Sequence, residues 1–406
     1  MKILLLCNKS PWPPREGGPI AMNAMITGLL KAGHQVRVLA ANTNKYSVEP
    51  SSVPVAYRES TSIEFAYIDL SIKPLAALSN YLSGESYHVS RFRNREFTEK
   101  LEAILKAEEF DVIQCEMLYT TAYLDIIRKH SKAAVFLRAH NIEHLIWKRI
   151  ADHSHNPLKR HYLKHLYLTL RDYELNTLDK VDGIVAITGK DADFFKKHTK
   201  TPVIPIPYGI DYEPDYQRSN YPESPSLFHI GAMNWIPNAE GIQWFLEEVW
   251  PTVNKEFPEL KLHLAGRMMP EWLLNRKQNG VIIEGEVPDA LEFISKHSIM
   301  IVPLFSGSGI RIKIIEAMQE GRAVISTRIG AEGIEAENEK NILLAEDQQE
   351  FVNAIRRLLN EKGLIQMLGE EARELIMHKH SNKKLIEGLI EFYREVGKRI
   401  HPSVMS

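Results

Sequence analysis

Short apolar runs and amphipathic stretches alternate along most of the chain. "KILLLC" (2–7), "QVRVLAA" (35–41), "DVIQC" (111–115), "AAVFLRA" (133–139) and "DGIVAIT" (182–188) are apolar nearly throughout. "SLFHIG" (226–231), "LKLHLAG" (260–266), "GVIIEG" (280–285), "SIMIVPLF" (298–305) and "RAVIST" (322–327) repeat the pattern. Continuous rather than alternating apolarity predicts parallel strands buried on both faces. Between the first two runs Met22, Met25, Ile26, Leu29 and Leu30 recur at helical spacing, and Gly33 is placed to cap that helix. Each half therefore predicts an α/β domain with a doubly wound, Rossmann-like parallel sheet, and two such domains imply a cleft. The proline-rich stretch 201–226 suits neither helix nor central strand and reads as a linker. The expected layout is residues 1–207 as an N-terminal domain, 208–226 as linker, 227–381 as a second domain, and 382–406 as a helix returning to the first. That helix is amphipathic through Leu385, Leu389, Phe392, Tyr393 and Val396.

A chain of 406 residues, 44% hydrophobic and 25% charged, is long enough for two such cores. Five apolar residues before Asn8 are too few for a signal-peptide core or a bilayer span. With two cysteines, Cys7 and Cys115, neither a disulfide framework nor a thiolate cage is implied, and the expected compartment is the reducing cytosol. The formal net charge is −2, but residues 1–210 carry 28 Lys+Arg against 22 Asp+Glu (+6), and residues 211–406 carry 22 against 30 (−8). That asymmetry suggests an anionic partner for the first half, with solvated surface as the alternative. Lys148, Arg149, Lys159, Arg160 and Lys164 fall in one short stretch, which makes peripheral contact with an anionic membrane face a further expectation. No nucleic-acid partner is expected.

The sharpest chemical signal is "IVPLFSGSGIRIKIIEAMQEG" (301–321). A strand ends near Phe305, a Ser-Gly-Ser-Gly loop follows, and a helix begins near Ile310. Gly307 and Gly309 let backbone approach a ligand, and the first helical turn points free N–H groups toward it. Arg311 and Lys313 in that turn face the positive end of the helix dipole, at a cost of roughly a few tenths of a kcal/mol, which a bound diphosphate would reverse. Glu316, further along the helix, could accept hydrogen bonds from ribose hydroxyls. The loop matches neither G-x-G-x-x-G nor a Walker motif.

"GSGIRIKIIEAMQEGRAVISTRIGAEGI" (307–334), with Gly17-Gly18 and "IGAMNWIPNAEG" (230–241), resembles glycosyltransferase family 4, which has the GT-B fold. The resemblance implies a retaining, metal-independent transferase that uses a nucleotide-diphosphate sugar (UDP- or GDP-linked) and needs no cofactor. It implies a glycan or lipid-linked acceptor held mainly by the first domain, with the donor mainly on the second. By position, Glu316 matches the second acid of the family's E-x7-E element, and Ser308 stands where the first acid would be. Ala232 and Glu240 replace two cations common in the family, whose charge Arg311 and Lys313 could supply. The backbone of Val287 matches the nucleobase contact, Gly17, Gly18, Gly307 and Gly309 the donor-binding glycines, and Tyr208 replaces a hinge asparagine.

"HNIEH" (140–144) reads literally as the H-x-x-E-H order of a zinc peptidase. His140, however, directly follows a predicted strand, where the resemblance implies a histidine beside the donor sugar. His140, Arg311 and Lys313 are thus the candidates for the chemistry, and no metal ligands are expected. A binding relative without turnover is the other alternative. His161 and His165 read as the solvated face of an amphipathic helix, "DAD" (191–193) as a helix opening, and Trp235, Trp244 and Trp250 as domain core.

Overall fold

The computed structural model describes residues 1–71, 73–152, 154, 156–211, 221–222, 224–307 and 309–400. The chain divides into two compact units, Met1–Asp211 with Asn382–Ser406, and Tyr212–Ser381. The first is built on strands β1 (Lys2–Cys7), β2 (Gln35–Thr43), β3 (Glu64–Ile68), β4 (Val112–Glu116), β5 (Ala134–Ala139), β6 (Gly183–Ala186) and β7 (Val203–Pro205). They form one parallel sheet in the order β3-β2-β1-β4-β5-β6-β7. Alternation along β1 sends Ile3, Leu5 and Cys7 to one apolar layer and Leu4 and Leu6 to the other. Both layers are buried, which is why the strand is apolar at every position rather than every second one.

The final helix, Asn382–Ile400, belongs to this unit. Its Ile386, Leu389, Ile390, Tyr393 and Val396 share a layer with Met22 and Met25 of helix Gly17–Lys31. Tyr208 is buried in the same unit, and a Cβ at Gly209 would come within 2.8 Å of the Asn382 Cα. One part of the proline-rich stretch is not linker. Residues Val203–Pro205 pair with β6, and proline is accepted because β7 lies at the sheet's edge, where one row of N–H groups needs no partner.

The second unit carries β8 (Leu227–Ile230), β9 (Leu262–Ala265), β10 (Val281–Gly285), β11 (Ile299–Val302), β12 (Ala323–Ser326) and β13 (Leu343–Leu344) in the order β10-β9-β8-β11-β12-β13, again with parallel pairing. Both sheets reverse strand order once, between β1 and β4 and between β8 and β11. Chains leave such a switch point in opposite directions and open a crevice at the strands' carboxyl ends, where α/β folds bind ligands. No helix among the described residues is long and apolar enough to cross a membrane.

Candidate functional site

Two loops leave the switch point of the second sheet. After β8 the chain runs through Gly231 and Ala232 into helix Ile236–Trp244; after β11 it runs through Pro303–Gly309 into helix Ile312–Gln319. The first helix is held tightly against the second loop, since a Cβ on Gly241 would lie 1.9 Å from the Pro303 carbonyl oxygen. Gly307 and Gly309 adopt φ +113° and +83°, a region closed to most side chains. A Cβ on Gly307 would also meet the Trp235 ring at 2.8 Å. Arg311 stands just before the helix without capping it through its side chain; its Nη1 donates to the Gly309 carbonyl, and its guanidinium lies 4.8 Å from the centre of the Trp235 ring. The aromatic face and the carbonyl hold the fork in place before any ligand arrives.

Lys313 Nζ donates to Glu316 Oε2 at 2.6 Å across one helical turn. The ammonium retains two further protons and the carboxylate a second oxygen, so each keeps capacity for a ligand. The structure thus brings Gly307, Gly309, Arg311, Lys313 and Glu316 together, beside a helix N-terminus whose first N–H groups have no partner within the helix. Ser308 lies outside the described residues. Val287 sits just beyond β10, half-buried, ahead of Asp289, which caps helix Ala290–Ser295; Ala232 and Glu240 are exposed.

Trp235 departs from expectation. Trp250 is fully buried, and Trp244 packs edge-on against Phe305 and Phe351. Trp235 is instead half-buried at the loop, where Gly307 has no Cβ to displace it.

In the first unit the strand ends position a second polar group. His140 follows β5 directly, and its Nε2 lies 2.7 Å from Oε2 of Glu116, the last residue of β4. Arg138 Nη1 donates to the same oxygen at 3.2 Å and to the Ala21 carbonyl at 3.3 Å. Gln114 donates to Glu116 Oε1 at 2.6 Å and accepts from the Tyr393 hydroxyl on the final helix. Burial would push the Glu116 carboxyl up, but Arg138 and His140 hold it below the ordinary range. Burial also outweighs the carboxylate at His140 and keeps the imidazole pKa below its usual value. The pair at rest is an ionised Glu116 and a neutral His140. Gln114, Glu116 and Arg138 were not among the sequence candidates. Their signal was polar residues two apart inside apolar runs, Gln114 and Glu116 on β4 and Arg138 at the end of β5.

The other members of "HNIEH" turn elsewhere. His144 Nδ1 lies 2.6 Å from Glu174 Oε2, and Glu174 also accepts the backbone N–H groups of Glu143 and His144, satisfying the start of helix Glu143–Asp152. Glu143 accepts from the Tyr119 hydroxyl at 2.7 Å. Burial, with Glu174 adding to it, pushes the Glu143 carboxyl up to about 7. The three side chains serve three partners, and no three His, Cys, Asp or Glu side chains gather as a metal site among the described residues. Gly17 and Gly18 open helix Gly17–Lys31 after β1, with Lys9 against Gly18 and paired to Glu16 at 3.1 Å. Asp191 opens helix Gly189–His198, where Thr188 accepts its N–H.

Residues 224–361 match a family described as Glycosyl transferases group 1. Over 405 residues the chain is 23% identical to an uncharacterized 44.6 kDa protein in the cps region of Klebsiella pneumoniae, covering 96% of this chain and 99% of that protein. Sucrose-phosphate synthase from Thermosynechococcus elongatus superposes with a TM-score of 0.70 at 15% identity, covering 98% of this chain and 99% of that one. A mutant of S. aureus TarM in complex with fondaparinux, alpha-GlcNAc-glycerol and UDP gives 0.66 at 12% identity, covering 97% and 100%. Anabaena HepE in complex with UDP-glucose gives 0.64 at 12% identity, also covering 97% and 100%. The fold is that of GT-B glycosyltransferases, and the match to the group 1 family lies within the second unit.

Proposed function

We propose that the protein is a glycosyltransferase that moves a sugar, a hexose or a close relative, from a UDP- or GDP-sugar to a glycan or lipid-linked acceptor. The observation that carries this reading is the switch-point loop of the second sheet. Two positive-φ glycines, the Trp235-backed Arg311 and the Lys313–Glu316 pair converge there on a helix N-terminus, within the stretch that matches the group 1 family. A diphosphate suits Arg311, Lys313 and the first-turn amides, and a ribose suits the second oxygen of Glu316. As the glycosidic bond to the donor breaks, charge grows on the departing diphosphate, and donors already fixed in place stabilise it without reorganising. On this reading His140, neutral and oriented by Glu116, serves the donor sugar as a hydrogen-bonding partner. The anomeric configuration is retained, the leaving phosphate takes the acceptor's proton, and no metal or cofactor takes part.

UDP and UDP-glucose complexes among the structural neighbours support the donor class, and the cps-region relative supports surface polysaccharide or glycoconjugate synthesis in the cytosol. The test is a panel of UDP- and GDP-sugars screened by thermal shift, followed by nucleotide release with and without chelator. One donor should raise the melting temperature and be turned over equally in EDTA. Binding without release in the presence of acceptor would make the protein a non-catalytic relative. Failure of every nucleotide and nucleotide sugar to bind would overturn the reading.

A further inference from the structure

Three residues of the basic stretch 148–164, Lys148, Arg160 and Lys164, line a cavity of the first unit. Helices Glu143–Asp152 and Pro157–Leu178 pack on each other and border a cavity of about 690 Å³ lined by Lys148, Asp152, Arg160, His161, Lys164 and Tyr167, among others. Arg160, Lys164 and Tyr167 recur at intervals of four and three residues, so one helix face presents them together, and Lys148 and Asp152 face the same cavity from the other helix. Among the described residues Lys148, Arg160 and Lys164 form no ion pair, whereas Arg128, Arg356 and Arg357 each hold a carboxylate. Asp152 is the one carboxylate among the lining residues, which leaves two positive charges uncompensated in a concave space. Lysines on an open convex surface are solvated individually and say little; three cations sharing a concavity repel one another and concentrate a field that an anion relieves.

The surroundings narrow the anion. His161 Nε2 is tied to the Tyr81 hydroxyl at 3.2 Å, which braces one wall. Leu158, on the helix that lines the cavity, is 84% exposed, and Leu82, next to Tyr81, is 77% exposed. Large apolar side chains left in water beside a cationic cavity suit a ligand with a charged head and an apolar body. The cavity's first helix begins three residues after His140, and Lys148 stands roughly 8 Å along it from its first residue at about 1.5 Å per residue.

We infer that this cavity binds the phosphate or diphosphate group of an organic ester with an apolar body, and that the ester is the acceptor. The second half of that statement rests on the transferase reading; the first half does not. The test is residue-resolved acetylation of lysines in the full-length protein, with inorganic diphosphate as probe. Diphosphate should slow acetylation of Lys148 and Lys164 severalfold and leave Lys159, which does not line the cavity, unchanged. Arg160→Gln, an exposed substitution, should raise the diphosphate concentration needed by roughly tenfold, the effect of losing one charge-assisted bond. Because the readout is by residue, diphosphate held at Arg311 and Lys313 does not enter it. Vesicles of phosphatidylglycerol and of phosphatidylcholine form the second arm. Protection by the anionic vesicles alone, with none from soluble diphosphate, would make this face a membrane contact and overturn the cavity site. So would equal protection of Lys159, or no protection at all. The nucleotide-sugar panel reads the transferase reading separately, so either can fail while the other stands.

Discussion

His140 Nε2 lies 2.7 Å from Glu116 Oε2; Glu116 ends β4, and His140 follows the neighbouring β5 two residues beyond Arg138, the register partner of Glu116. The carboxylate fixes which imidazole nitrogen carries the proton and which way the ring faces, while Arg138 fixes the carboxylate. A position on a loop thereby gains the rigidity of the sheet.

The first expectation separates the two residues. His140→Ala should lower turnover on the order of a hundredfold with little change in melting temperature, because Glu116 keeps Arg138 and Gln114. Glu116→Gln should instead destabilise the fold by about 3–5 kcal/mol, since it leaves Arg138 charged, buried and without its counterion. With the His140 pKa held below its ordinary value, protonation of the folded protein lags that of the unfolded chain, so this group's contribution is present above about pH 6.5 and is lost as pH falls. The acid limb of the activity profile should accordingly lie below pH 6.5. Full activity in His140→Ala would remove the residue from the reaction.

Arg311 and Trp235 form the second testable pair. Arg311→Ala should reduce kcat/KM by about 10²–10³ with unchanged melting, and Arg311→Lys should recover only part of that loss, since an ammonium cannot reproduce the planar fork. Trp235→Ala removes only the surface on which the guanidinium rests, worth about 0.5–2 kcal/mol, so its loss should be several-fold to about thirtyfold. In the Arg311→Ala background the Trp235 substitution should add little. Independent, multiplying effects in the double variant would show that the contact has no part in positioning the arginine.

Much of this architecture was legible in the sequence because a doubly wound sheet writes itself as unbroken apolar runs, and ten of the thirteen strands announce themselves that way. The other three are edge or short elements with different requirements. β3 exposes Tyr67 and so carries polar positions, β7 hides among prolines that only an edge tolerates, and β13 has two residues. The donor loop was legible because close backbone approach demands glycine at particular places. The Glu116 network was not, since a run that is mostly apolar masks single polar residues whose significance lies in register: Cys7, Glu116 and Arg138 meet only when β1, β4 and β5 align. Trp235 differs from Trp244 and Trp250 in where Gly307 leaves room, which spacing does not reveal.

Lys313 and Glu316 are already bonded, so their substitutions should be coupled. Glu316→Ala should weaken free nucleotide and nucleotide sugar alike, because its proposed partner is the ribose, whereas Lys313→Ala should lower turnover more than nucleotide affinity. Titration calorimetry across a double-mutant cycle should give an interaction energy of about 0.5–1.5 kcal/mol with nucleotide absent from the chemistry of transfer. Unfolding of Glu316→Ala in a melting experiment would move that residue from ligand contact to scaffold.

The last prediction concerns Glu143, buried against Tyr119 beneath the start of its helix. Burial, reinforced by Glu174, pushes its pKa up to about 7 from an ordinary carboxylate value near 4.5. Below about pH 4.5 both folded and unfolded chains carry the proton and the group is neutral to stability; between there and pH 7 the unfolded chain releases it while the folded protein retains it. Folding therefore loses stability as pH rises through that window, by about 3 kcal/mol in all. Glu143→Gln keeps the shape and the acceptor for Tyr119 but cannot ionise, so the variant should melt higher than the natural protein at pH 8 and the difference should shrink steadily toward pH 5. Thermal melts of the two proteins across pH 5–8.5 measure this. Parallel curves would mean that Glu143 ionises as an ordinary carboxylate, and that its bond to Tyr119 is an interaction of the charged form.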